Sequence, residues 1–375
     1  MVAQTQRQAV AGSQRRRQLI LTLSRVWALA FLASVVLFFT LSVSLSTDGR
    51  VNFFTLRNSQ SILVAITPVL LMGLGQTFVI ISGGIDLSVG WTMGMTSVVA
   101  ALVVRDSAAR GLDPWLAVLL AFVVGLAAAG AVGLCNGLII ARLKVPPFIV
   151  TLGVSFVMRG LGLLFSGGQT VGGLPTQIRD LGNEGLLYFV GGDVGRWYVL
   201  QRPVLEGAAL RTLDRVLAWP VVITVIVTLI MIFVLHKTQF GRHTYAIGGS
   251  REASLRAGIP VDRHTIVLYM LSAMTAGLAG ILHTARFSGG SANAGDPLLL
   301  GSIAAVVIGG ASLFGGVGQV GGTIIGALII AVLQTGLVML NVDPFWQYIV
   351  VGVVVILAVL IDQSRDLIIG RAEAG

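Results

Sequence analysis

Only two lysines occur in the 375 residues, Lys144 and Lys237, and neither follows a glycine. That excludes the glycine-rich loop closed by Gly-Lys-Ser/Thr that cradles nucleotide phosphates. The single cysteine, Cys135, excludes a disulfide framework, and its apolar neighbours mark it as a small packing residue. Histidine and cysteine nowhere share metal-ligand spacing. Serine, histidine and aspartate are scattered, with no glycine-flanked nucleophile. Neither an enzyme active site nor a metal or cofactor is expected. Charge is scarce as well: 11% of residues, against about 25% in a soluble domain.

What fills the chain instead is apolar. Hydrophobic residues make up 55% and the mean hydropathy is +0.91. The pattern predicts an all-α polytopic membrane protein with about ten transmembrane helices in one domain, residues 26–362. Expected spans cover 26–45, 59–82, 85–104, 114–141, 148 onward, 218–235, 265–285, two within 297–342, and 344–361. Polar tails, 1–25 and 363–375, flank them. Residues 166–217 read as an extramembrane loop and 236–264 as a basic one.

Placing the N-terminus inside makes this span count testable. With the second tail counted from Asp362, the tails, 142–144 and 236–264 then hold 14 basic and 5 acidic residues, whereas the outer segments hold 10 of each. All the excess positive charge falls on one side, as the positive-inside rule requires. Both termini and the 236–264 loop are therefore expected in the cytoplasm, and the high pI needs no nucleic-acid partner. A constant offset aligns Gly137 and Gly153 with Gly336 and Gly352, which fits spans two to five inverted against seven to ten. A second match, Gly83-Gly84 with Gly309-Gly310, does not fit that order and carries no weight.

One stretch stands apart: Ile81-Ser-Gly-Gly-Ile-Asp-Leu-Ser-Val-Gly90. Between Asn58 and Val104 the only charge is Asp86. A helix break at Gly83, Gly84 and Gly90 beside Asp86 and Ser88 has two readings. Either it lies inside the membrane, facing protein or an aqueous path, or it is a surface turn in which Asp86 caps the next helix. Arg159 is the only other charge assigned to the membrane; it is either the charge partner of Asp86 or a helix-end interfacial arginine that snorkels outward. Trp91, Trp115, Trp219 and Trp346 suit an aromatic belt, although Trp91 has the alternative of lining the path.

On the basic loop, Ser250 can cap a short helix through Glu252, Ala253 and Leu255 that ends at Gly258. Glu252-Ala-Ser-x-x-x-Gly258 resembles the Glu-Ala-Ala-x-x-x-Gly loop of ABC importer permeases. Ile81 to Gly90 is similar to the signature of the ribose/xylose/arabinose/galactoside permease family. The stretch Gly241-Arg242-x-x-Tyr245-Ala-x-Gly248-Gly249 and residues 304–310 resemble further parts of it. The likeness runs from about 52 to 362, except that 182–217 is longer than usual.

The resemblance implies a fold like that of the cobalamin importer permeases and a homo- or heterodimer in the bacterial inner membrane. It implies a separate cytoplasmic ATPase docked on the Glu252 loop. It also implies a periplasmic or lipid-anchored sugar-binding protein that delivers a pentose or hexose such as ribose. An ion- or proton-coupled secondary transporter, a non-transporting scaffold, or import of a polyol, nucleoside or sugar-like signal are the alternatives. The single intramembrane Asp speaks against ion coupling, which calls for a set of carboxylates.

Overall fold

The computed structural model describes residues 27–191, 195–205, 212–343, 345–354, 356, 357 and 360; both expected tails lie outside them. The helices are α1 (Trp27–Ser46), α2 (Leu56–Ile81), α3 (Val89–Ala109), α4 (Pro114–Arg142), α5 (Pro147–Ser166) and α6 (Thr176–Asn183). After three strands come α7 (Trp219–Lys237), α8 (Gln239–Gly249), α9 (Arg251–Arg256), α10 (Val261–Phe287), α11 (Asp296–Ile308), α12 (Val320–Met339) and α13 (Phe345–Val354). Among the described residues, seven helices are long and apolar enough to cross a membrane: α1, α2, α4, α5, α7, α10 and α12.

Each of the ten expected spans coincides with a helix, but three do not meet that standard. The 21 residues of α3 include Arg105 and Asp106 and many small polar residues, and α3 is shielded by its neighbours instead of by its own composition. At 13 residues, α11 is ~20 Å long, too short for a hydrocarbon core of ~30 Å. Only Phe345–Val354 of α13 is described as continuous helix.

Local chemistry sets the helix ends. Thr55 caps α2 by accepting from Asn58 N, and Asp113 caps α4 by accepting from Trp115 N and Leu116 N, with Pro114 in the first turn. Pro146-Pro147 stops α4 and starts α5, which closes at Gly167 in the left-handed region, φ +63°.

At the centre lie α2, α3 and α10, with α4 and α5 on one side and α7, α11 and α12 on the other. A bundle in lipid gains little from apolar burial between helices, so close approach through small residues does the holding. On α4, Gly133 and Gly137 meet the α10 backbone at Tyr269, Met270 and Ile266; a Cβ at Gly133 would sit 2.4 Å from the Tyr269 carbonyl oxygen. Cys135 is exposed on the same helix, so its expected packing role is not filled within this chain.

The segment 166–217 is folded onto the bundle, not a free loop. It contributes α6 and a small antiparallel sheet of β1 (Gly185–Val190), β2 (Arg196–Val199) and β3 (Leu213–Ala218), in the order β2-β1-β3. Asn183 Nδ2 donates to the Arg286 carbonyl at 3.0 Å, fixing α6 to the end of α10. Opposite this end, Lys144 and Arg251 both reach Asp262, at 2.8 and 3.1 Å. The two basic loops, 142–147 and 236–264, therefore share one face of the molecule, as the span count requires.

Candidate functional site

After Ile81 the chain reverses. Gly83 adopts φ +82°, a conformation that L side chains rarely take. Gln76 Nε2 donates to the Asp86 carbonyl at 2.5 Å, so Asp86 lies level with Gln76, ~7 Å back along α2. The helix break is a re-entrant turn inside the bundle, and Asp86 has no exposed surface. Of the two sequence readings, the surface turn does not hold, because the carboxylate points inward and water cannot reach it. Nor does Asp86 cap the next helix: its Oδ1 accepts from Ser88 N at 3.0 Å, but Ser88 is the cap residue of α3 and no side chain caps that helix.

Both carboxylate oxygens are occupied. Oδ1 also accepts from Ser88 Oγ at 2.6 Å, and Oδ2 accepts from Ser272 Oγ at 2.8 Å. Ser272 is ~16 Å along α10 from Val261, near the middle of that helix. Asn136 Nδ2 on α4 donates to Ser88 Oγ at 2.8 Å, so α2, α4 and α10 converge on the turn that opens α3. Around it, Gln76 Oε1, Asn136 Oδ1, Thr92 Oγ1 and the Tyr269 hydroxyl are buried with no protein partner. A Cβ at Gly84 would lie 2.6 Å from that tyrosine oxygen, which explains the second glycine. Gly90 meets Gly295 at the start of α11; a Cβ there would be 2.9 Å from the Gly295 carbonyl oxygen.

The structure does not bring Arg159 to Asp86. Arg159 is exposed on α5, and its guanidinium carbon lies 4.8 Å from the centre of the Trp91 ring. Among the described residues it forms no ion pair. Trp91 is not part of a belt either: it is 7% exposed and packs with Met95, Val132 and Met158. Trp115, Trp219 and Trp346 stand at helix starts, where a belt would place them.

The basic loop is two helices. Sequence reading placed α9 with its Ser250 cap, which accepts from Ala253 N at 3.2 Å, and its end at Gly258, φ +80°. It missed α8, whose cap is Thr238 accepting from Gly241 N; the Thr-x-x-Gly start before a mixed polar and apolar run was the available signal. Gly241 turns tightly on Leu235, with a virtual Cβ 1.8 Å from its carbonyl oxygen, while Arg242 faces outward.

The end of α8 then meets the re-entrant turn. A Cβ at Gly248 would be 1.8 Å from the Ile81 carbonyl oxygen and 2.5 Å from Gly316 N, and Gly316 N donates to that same carbonyl at 2.8 Å. Gly249 lies just beyond, against Gly316. The two glycine breaks that looked unrelated in sequence, at 83–84 and after 309–310, thus touch each other and α8. The Tyr245 hydroxyl donates to the Gly318 carbonyl at 2.7 Å. Tyr245→Phe is expected to lower stability by about 1 kcal/mol, the worth of one such bond, read from thermal unfolding in detergent. An unchanged melting temperature would show that α8 is not held there.

At the opposite end, a cavity of about 320 Å³ opens between the sheet and the starts and ends of α2 and α10. Arg57, Arg202, Arg215 and Arg286 line it with Glu184 and Asp214. Arg202 pairs with Glu184 at 2.9 Å and Arg57 with Asp214 at 3.5 Å. Burial and the Glu184 carboxylate push Tyr188 up to about 12. No group of histidine, cysteine, aspartate and glutamate that could hold a metal occurs among the described residues.

Residues 58–359 match a family model described as "Branched-chain amino acid transport system / permease component". The chain is 40% identical over 297 residues to the ribose import permease protein RbsC of Bacillus subtilis, covering 79% of this chain and 81% of that one. It is 35% identical over 373 residues to the xylose transport system permease protein XylH of Escherichia coli K12, covering 90% and 91%. It is 36% identical over 312 residues to the fructose import permease protein FrcC of Rhizobium meliloti, covering 83% and 79%. No solved structure matches.

Proposed function

The chain belongs to the permease family described as the branched-chain amino acid transport system / permease component, and from that premise we propose that it carries a monosaccharide through the membrane for an ABC importer. It is a multi-pass membrane permease subunit and not an enzyme. Three relatives named for ribose, xylose and fructose direct the reading to sugars instead of amino acids. Energy comes from a separate ATPase, and a binding protein delivers the substrate. The chain works as a homo- or heterodimer in the inner membrane, with both termini and the 236–264 loop cytoplasmic. Its fold is of the cobalamin-importer kind, with α2–α5 and α10–α13 as inverted repeats. The arginine-rich outer cavity belongs to the face that receives the binding protein.

The observation that carries this reading is the contact between α8 and the re-entrant turn. The exposed α9, with Glu252, Ala253 and Gly258, is the surface for the ATPase, and α8 is the rod behind it. Pressure on α9 moves Gly248 against Ile81, and that backbone leads through Gly83 and Gly84 to Asp86. Glu252 contributes little to folding: it is exposed and, among the described residues, pairs only with Arg256 one turn on, a contact worth ~0.4 kcal/mol.

Reversing that charge is the test. Glu252→Lys combined with Gly258→Leu is expected to leave the permease in the membrane but abolish co-purification of the ATPase. In proteoliposomes containing the binding protein, ATP-driven uptake of radiolabelled ribose, xylose or fructose is expected to fall with it. Unchanged association and uptake would refute the coupling role. Uphill uptake in vesicles that lack the ATPase would return the protein to the secondary transporters.

A further inference from the structure

The position of Arg159 identifies one wall of the path. On α5, Gly162 packs against the Met95 backbone of α3, and α3 continues ~21 Å from Met95 to its outer end. Arg159 lies one turn further inward and ~18 Å from the inner end of α5 at Pro147. Its Cα therefore lies inside both ends of α5, ~10 Å from Ser166 and ~18 Å from Pro147. The guanidinium carbon lies over the Trp91 ring, 4.8 Å from its centre. Yet Arg159 is exposed on this chain, with no carboxylate partner among the described residues. A permanent charge held at that depth cannot face hydrocarbon tails without a large penalty, so its surface borders water or polar groups.

We infer that Arg159, held over the Trp91 ring, lines a water-filled translocation path and donates its guanidinium N–H groups to neighbouring hydroxyls of the passing sugar. This rests on the importer reading above. The chemistry fits a neutral polyol ring: arginine offers five N–H donors in a fixed fork and no acceptor, and adjacent sugar hydroxyls present paired acceptor oxygens. Trp91 supplies the cation–π contact that holds the guanidinium. Arg159 is the residue that touches substrate, and Trp91 positions it.

Thiol labelling tests the wall without any assumption about the energy source. In full-length chains carrying Cys135→Ser, cysteines are placed beside the arginine as Phe156→Cys and Gly160→Cys, and on α7 as Leu229→Cys, whose side chain is equally exposed. The first two are expected to react with a charged, membrane-impermeant methanethiosulfonate at least tenfold faster than the third. Equal rates would overturn the proposal, whatever the transport result.

Ribose, xylose and fructose then probe the contact itself in proteoliposomes with the ATPase and binding protein. Arg159→Gln is expected to cut uptake more than tenfold at unchanged ATPase association, with Arg159→Lys in between. Normal uptake by Arg159→Gln, or loss of assembly in both variants, would remove the arginine from substrate contact. Failure of the unaltered complex to move any of the three sugars with ATP would count against the importer reading, while the labelling result would still define the wall.

Discussion

Replacing Asp86 with alanine is expected to destabilise the permease by about 3–5 kcal/mol, read as a fall in thermal unfolding temperature in detergent and as reduced abundance in the membrane. The carboxylate accepts three hydrogen bonds, from Ser88 N, Ser88 Oγ and Ser272 Oγ, at a site with no exposed surface. Removing it leaves those donors buried and unpaired, and the serine that Asn136 also binds loses its anchor. The loss is shared by α3, α4 and α10, so it is not confined to one turn. Asp86→Asn keeps the shape and one acceptor oxygen, and it is expected to cost about half as much. An asparagine variant that melts lower but transports normally assigns the carboxylate to structure; one that melts normally and does not transport assigns it to the path. An alanine variant as stable as the parent would mean that the network holds nothing together.

A leucine at Gly248 is expected to uncouple ATP hydrolysis from sugar uptake. Its Cβ alone would lie 1.8 Å from the Ile81 carbonyl oxygen, and both the carbonyl and Gly316 N are backbone, with no flexible end to swing aside. Overfilling such a contact typically costs ~1–3 kcal/mol. The relief available is for α8 to lift off the re-entrant turn. Because α9 and its Ser250 cap do not depend on that contact, the ATPase is expected to bind and hydrolyse ATP while uptake falls more than tenfold. Gly249→Ala is the control, since a Cβ at Gly249 meets nothing within 4 Å. Equal coupling in the leucine variant and the control would show that force does not travel through this contact.

Some of this was legible in the residues because it depends on local cost. A lone Asp between a glycine pair and Gly90 marks a helix break wherever the chain puts it, and Ser250 followed by Glu252 and Gly258 marks a short capped helix. The long apolar runs fixed where helices could cross, since lipid offers unpaired backbone groups no partners. The partners of the charges were not legible. Ser272 is 186 residues from Asp86, and an ordinary serine in an apolar run carries no sign of what it will meet. The expected Asp86–Arg159 pair came from treating two solitary charges as complementary, when three donors already satisfy one and an aromatic ring holds the other. The sheet in 185–218 was missed because the segment was read by its mixed polar composition as a whole, although β1 is the continuous apolar run Gly185-Leu-Leu-Tyr-Phe-Val190.

Composition and the order of apolar runs by themselves determined that this chain crosses a membrane many times, that its basic loops gather on one face, and where its helices must break. The physical reason is that lipid penalises every exposed charge and every unpaired peptide group, whatever the packing around it. Only the tertiary structure decided that the break turns back into the bundle, that Ser272 and Ser88 hold Asp86, and that α8 presses on Ile81 while Arg159 lies over Trp91. Those contacts join residues far apart in the chain, and they come from how closely small side chains let helices approach, which no single stretch encodes.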